Sequence, residues 1–102
     1  MNIRLTGPAE RDIARAFEWY EREREDLGYR FIARVDEAIE SLAENPKMFA
    51  PVIGEARRVL IEQFPYAIYY KVKPDGVLVI GCLHHKRDMK LAVSRANKPE
   101  PN

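Results

Sequence analysis

Apolar and polar residues first alternate, Ile3 and Leu5 against Asn2, Arg4 and Thr6, which predicts a short half-buried strand. Gly7-Pro8 ends it and opens a helix. Gly7 is placed as the N-cap, Pro8 suits the first turn because its missing N–H would be unpaired there, and Glu10 and Asp12 favour the positive end of the helix dipole. The period then changes. Ala9, Ile13, Ala16, Phe17 and Tyr20 recur at helical spacing while Arg11, Arg15, Glu18, Arg22 and Glu25 occupy other faces. An amphipathic helix is expected as far as about Leu27, with Gly28 as its stop.

A second apolar stripe, Phe31, Ile32, Val35, Ala38, Ile39, Leu42 and Ala43, runs to about Glu44 and closes at Asn45-Pro46. So few residues separate the two stripes that the helices fold back as an antiparallel hairpin. From Pro46 to Glu55 two prolines and Gly54 indicate a loop. Three strand-like runs follow, Arg57 to Phe64, Tyr66 to Lys73 and Val77 to His85, separated by Pro65 and by the tight-turn sequence Pro74-Asp75-Gly76. In the middle run Tyr66, Ile68, Tyr70 and Val72 share the face expected to meet the helices. Ala67, Tyr69, Lys71 and Lys73 share the opposite face, expected to be wet and basic. In the last run strict alternation puts Val77, Val79 and Leu83 on one side and Leu78, Ile80 and Cys82 on the other, the pattern of a central strand. Asp88 to Ala96 is a candidate short closing helix. The order strand, helix, helix, strand, strand, strand predicts an α+β domain with a helical hairpin across one face of a mainly antiparallel sheet. It spans residues 1–96, and residues 97–102 are expected to form a flexible tail.

Composition narrows this picture without redirecting it. A chain of 102 residues with 46% apolar, 10% aromatic and 32% charged residues has the material for one folded core and is too short for a two-domain enzyme. Net charge is +1, so bulk charge marks no nucleic-acid binder. The charges are unevenly distributed, however: 8 basic and 11 acidic residues precede Val52, and 9 basic and 5 acidic residues follow from there. A basic surface on the second half could meet nucleic acid or an acidic partner, or simply face solvent. Cys82 is the sole cysteine, which excludes an internal disulfide and suits a reducing cytoplasm. No apolar run approaches the roughly 20 residues that span a bilayer. Phosphate-loop, zinc-spacing and dinucleotide motifs are missing, so no cofactor or metal is implied.

Several residues are candidates for chemistry. His84-His85 has the acid–base character needed for catalysis, but neighbours on a strand point to opposite faces and do not readily share a metal. Arg57 and Arg58 likewise diverge. Lys86-Arg87-Asp88 follows a buried strand, where a rigid scaffold can hold side chains toward a partner. Cys82 fits a buried structural thiol, Tyr20 fits the core, and Trp19, off the stripe, fits an exposed interface position. The run Glu21-Arg22-Glu23-Arg24-Glu25-Asp26 fits a solvated helix end with no chemistry of its own.

Taken in order, several segments resemble the RelE/ParE superfamily of bacterial type II toxin–antitoxin modules, which includes plasmid-stabilisation proteins. They are Pro8-Ala9 with Asp12-Ile13, Trp19-Tyr20-Glu21, Leu27 to Phe31, Asn45-Pro46, Arg57-Arg58, Phe64 to Tyr70 and His84 to Asp88. Two activities follow from that resemblance. RelE-like members cleave ribosome-bound mRNA, which needs a base, an acid and cations around the phosphate. Here Ala67, not arginine, follows Tyr66, and no tyrosine follows Tyr70. On that branch Lys71, Lys73, Lys86 and Arg87 would hold phosphates and His84 or His85 would supply the acid. ParE-like members poison DNA gyrase by binding, and this branch is favoured here. It implies His84, Lys86 and Arg87 as target-facing groups, Arg58, Lys71 and Lys73 as a supporting basic surface, and a cognate antitoxin as partner. A fold-alike that has lost toxicity and only binds a partner is the third possibility.

Overall fold

The computed structural model describes residues 2–99. Along the chain run β1 (Asn2–Leu5), α1 (Gly7–Glu23), α2 (Leu27–Glu44), β2 (Pro51–Ile53), β3 (Ala56–Leu60), β4 (Tyr66–Lys73), β5 (Gly76–His84) and α3 (Met89–Asn97). The strands form one sheet in the order β1-β5-β4-β3-β2, with β1 parallel to β5 and every other neighbour antiparallel. The expected α+β architecture is thus present, helical hairpin and closing helix included. Its unforeseen strand is β2, a three-residue edge piece that begins at a proline inside the expected loop. Pro is tolerated there because an edge strand leaves one row of donors unused.

Helix ends differ from the sequence expectation by a few residues, each for a local reason. Thr6, not Gly7, caps α1: its hydroxyl oxygen accepts from the Ala9 N–H at 3.2 Å, and Gly7 is already helical. At the other end α1 stops at Glu23, before Leu27, and Asp26 takes a left-handed conformation at φ 71°. The Glu21 carboxylate then accepts from the N–H groups of Asp26 at 3.0 Å and Gly28 at 2.9 Å. It thereby satisfies donors at the start of α2, so a residue expected to be merely solvated fixes the turn. Gly28 lies inside α2 and stops nothing. A Cβ there would stand 2.7 Å from the Phe17 carbonyl oxygen, so glycine is needed for the close crossing of the two helices.

The hairpin covers one sheet face with Ala16, Phe31, Val35 and Leu42 against Ile68, Tyr70, Val77 and Val79. The opposite face departs from expectation. It is not wet: Lys71 is only 5% exposed, and Ala67 and Tyr69 are fully buried where α3 lies over them through Ala92 and Ala96. The alternation of β5 also breaks. Tyr69 pairs with Gly81 and Tyr70 with Val79, leaving Ile80 as the extra residue of a β-bulge. One inserted residue swaps every later side chain to the other face. Cys82 therefore joins Val77 and Val79 under the hairpin, and Leu83 joins Leu78 and Ile80 under α3. The strand expected from Arg57 to Phe64 ends at Leu60, and Gln63 turns the chain at φ 71°. Of the expected flexible tail, Asn97 closes α3, and residues 100–102 lie outside the described residues.

Candidate functional site

The site grows from a mismatch in strand length. β1 pairs with β5 only as far as Leu5 opposite Val79, and the Thr6 N–H donates to the Val79 carbonyl at 3.0 Å. Beyond that point β5 has no strand beside it on this side, and side chains take over its backbone groups. The Asp12 carboxylate on α1 accepts from the Cys82 N–H at 3.0 Å, and Arg95 on α3 donates to the Ile80 carbonyl at 2.9 Å. These two side chains also pair with each other through two contacts, at 2.7 and 3.0 Å. The Arg95 hydrogen bonds to Asp12 raise its already high pKa, against the opposing effect of burial. Gly81 makes room for the clamp, since a Cβ at that position would lie 3.0 Å from the Arg95 guanidinium.

Past the clamp, α1 and the end of β5 enclose an open cleft of about 440 Å³. Arg15 and Trp19 reach it from α1, one turn apart on the helix face that also carries Asp12 and Ala16. Tyr20 and Tyr66 supply aromatic walls, with ring centres 6.0 Å apart, and the Tyr66 ring meets that of His84 at 5.8 Å. His84, Arg87 and Asp88 close the far end.

This far end is held rigidly. The His84 Nδ1 accepts from the N–H groups of Lys86 at 3.2 Å and Arg87 at 3.0 Å, which leaves Nε2 as the ring's donor. Asp88 accepts from the His84 N–H at 3.2 Å, and its other oxygen lies 3.5 Å from the Arg87 Nε. Arg87 also reaches the Tyr66 hydroxyl at 3.4 Å. That contact raises the Arg87 pKa first, burial opposes it, and Asp88 reinforces it. Tyr20 is pushed up as well, by burial and then by Tyr66, against the lowering effect of Arg87. Cys82 is raised far above the ordinary thiol value by burial and then by Asp12, which keeps it protonated and removes it as a nucleophile. The cleft therefore offers cationic and hydroxyl donors beside aromatic surface, a set suited to binding.

The structure separates the residues that the sequence had grouped. His84 and Arg87 line the cleft, whereas Lys86 joins it only through its backbone. Lys71 and Lys73 sit on the α3 side of the sheet, where both approach Glu55, at 3.8 and 3.6 Å. Arg58 stands opposite Tyr69 in the ladder, on that same face. His85 lies outside the cleft lining, and its pKa is lowered by desolvation and then by the nearby charge of Lys86. Arg57 turns to the Phe49 carbonyl at 2.7 Å and is structural. Two cleft residues had a sequence signal that was only half legible. Trp19 was visibly off the apolar stripe, and Arg15 lies four positions before it. Tyr20, expected in the core, is shared between core and cleft. Among the described residues no group of three or more His, Cys, Asp or Glu side chains is arranged to hold a metal ion. None of the described helices is long and apolar enough to cross a membrane.

Comparison with known proteins adds two findings. A family model described as the ParE toxin of the type II toxin–antitoxin system parDE matches residues 3–89. A solved structure titled "Chromosomal ParDE TA system from P. aeruginosa" superposes with a TM-score of 0.73 at 15% sequence identity, covering 82% of this chain and 95% of that one. At that identity the likeness speaks to the fold. No curated protein sequence matches the chain.

Proposed function

The chain belongs to the ParE toxin family of type II toxin–antitoxin systems, and from that premise we propose that it inhibits DNA gyrase by binding and is held silent by a cognate antitoxin in the bacterial cytoplasm. The observation that carries this reading is the cleft itself. It gathers Arg15, Trp19, His84 and Arg87 at one opening, while its one thiol is buried and protonated. Such a site favours holding a partner over breaking a bond. His84 and Arg87 are its target-facing groups, with Lys86 beside them on the exposed turn. Arg58, Lys71 and Lys73 lie on the other sheet face and would act only as a background of positive charge. The antitoxin is expected to be an amphipathic segment that folds on binding, with acidic residues meeting the basic second half of the chain.

Induced expression should arrest growth when the neighbouring antitoxin gene is absent and spare it when that gene is present. Purified protein should inhibit gyrase supercoiling, and Arg87→Gln should weaken that inhibition at least about tenfold if one charge-assisted contact is lost. A second reading, cleavage of ribosome-bound mRNA, draws support from the convergence of Tyr66, His84 and Arg87. Early loss of translation with intact replication would favour it over gyrase inhibition. No growth defect at all would point to a fold that has kept only partner binding.

A further inference from the structure

The cleft has more chemical definition than a protein-docking surface requires. Both of its carboxylates are already engaged: Asp12 by Arg95 and the Cys82 N–H, Asp88 by the His84 N–H and Arg87. Among the described residues Arg15 makes no hydrogen bond or ion pair, and Arg87 keeps its Nη1 uncommitted. The cleft thus presents surplus positive charge from two directions, the α1 wall and the turn after β5. Between them lie the rings of Trp19, Tyr20 and Tyr66, and His84 contributes a donor at Nε2. Aromatic faces favour a planar base, paired cations favour a phosphate, and about 440 Å³ lies within the range of small-ligand sites.

We propose that this cleft binds a nucleoside phosphate, with the base against Trp19 and Tyr66 and the phosphate held by Arg15 and Arg87. His84 Nε2 donates to the phosphate or the ribose. An apolar peptide would use the rings and leave the arginines unmatched, and inorganic phosphate alone would use the arginines and leave the rings bare. The inference does not rest on the identity of the toxin's target, and failure of gyrase inhibition would leave it standing.

Trp19 is the sole tryptophan and lines the cleft, so its fluorescence reports occupancy directly. In titrations of the full chain, AMP is expected to change Trp19 emission saturably, and adenosine or inorganic phosphate alone should bind at least about tenfold more weakly. Arg15→Gln and Arg87→Gln should each weaken AMP binding about tenfold while leaving the circular dichroism unchanged, since both side chains are exposed. A short single-stranded RNA with blocked ends distinguishes the source of the ligand. Tighter binding of AMP assigns a free nucleotide, and tighter binding of the RNA assigns a nucleotide within a strand. No saturable response to AMP or the RNA up to about 10 mM, well beyond a specific site, overturns the proposal. So does binding that both arginine variants leave unaltered.

Discussion

Tyr69 and Tyr70 are neighbours in β4, both essentially buried, and they show how differently the two faces of the sheet are built. Tyr70 points under the helical hairpin, where its hydroxyl donates to the Pro46 carbonyl at 2.7 Å. Burial raises its pKa, with Arg57 opposing. Tyr69 points under α3, and its hydroxyl is the buried side-chain polar atom that finds no hydrogen-bond partner among the described residues. The hairpin face is packed with large side chains such as Phe31, Leu42 and Ile68. On the α3 face the sheet offers Tyr69, Leu78, Ile80 and Leu83, but the helix buries only Ala92 and Ala96 against them, while its Met89, Leu91 and Val93 remain exposed. Stability therefore resides on the hairpin side. The α3 side is held by little apolar contact and by one ion pair across the end of the sheet.

Removing a fully buried apolar ring from the hairpin face should have the largest effect. Phe31 is fully buried and stacks edge-on to Phe64 and Tyr66, so Phe31→Ala is expected to cost about 4 kcal/mol in urea unfolding. Asp12→Ala tests the other side. It strips Arg95 of its partner and leaves the Cys82 N–H unpaired, for a loss of about 3 kcal/mol. The two variants should also differ in kind. Hydrogen exchange in Asp12→Ala should lose protection in α3 at Ala92 and Ala96 while the hairpin stays protected, whereas Phe31→Ala should lower protection throughout. Uniform loss in both would mean that the two faces unfold as one unit. Gly28→Ala sharpens the picture within the hairpin. Its Cβ must displace the Phe17 carbonyl or ring, and a cost of about 1–2 kcal/mol is expected despite alanine's better helix propensity.

The same contrast explains what the sequence could and could not disclose. β4 was legible to its exact ends, because the strand-forming run Tyr66 to Lys73 is bounded by two prolines. The α1–α2 stripe was legible because two long amphipathic helices leave many periodic positions. β5 was misassigned after Ile80, since a bulge shifts parity by one residue and carries no hydrophobic mark beyond a glycine at 81. Tyr69 and Lys71 sit at positions expected to be wet, yet both are buried, Tyr69 beneath the alanines of α3. For the cleft, His84 and Arg87 stand out in the sequence because a strand end is a local feature, and both line it. Arg15 and Trp19 were not joined to them, because that requires α1 to lie beside the part of β5 that β1 leaves open. A four-residue strand beside a nine-residue one creates that opening, and strand pairing is a tertiary fact.

The finest test returns to the two tyrosines, where the same chemical change should move stability in opposite directions. Tyr70→Phe deletes the donor to the Pro46 carbonyl and unties the loop after α2, so a loss of about 1 kcal/mol is expected. Tyr69→Phe deletes a hydroxyl that is desolvated without compensation and preserves the shape of the ring. It should leave stability unchanged or raise it by up to about 1 kcal/mol. Both substitutions keep a phenyl ring in a buried site, so differences in packing and helix or strand propensity largely cancel between them. Matched urea titrations that share one slope would then isolate the hydroxyl. If Tyr69→Phe instead destabilised the protein as much as Tyr70→Phe, the Tyr69 hydroxyl must have a partner in solution, and the α3 face would be as well satisfied as the hairpin face.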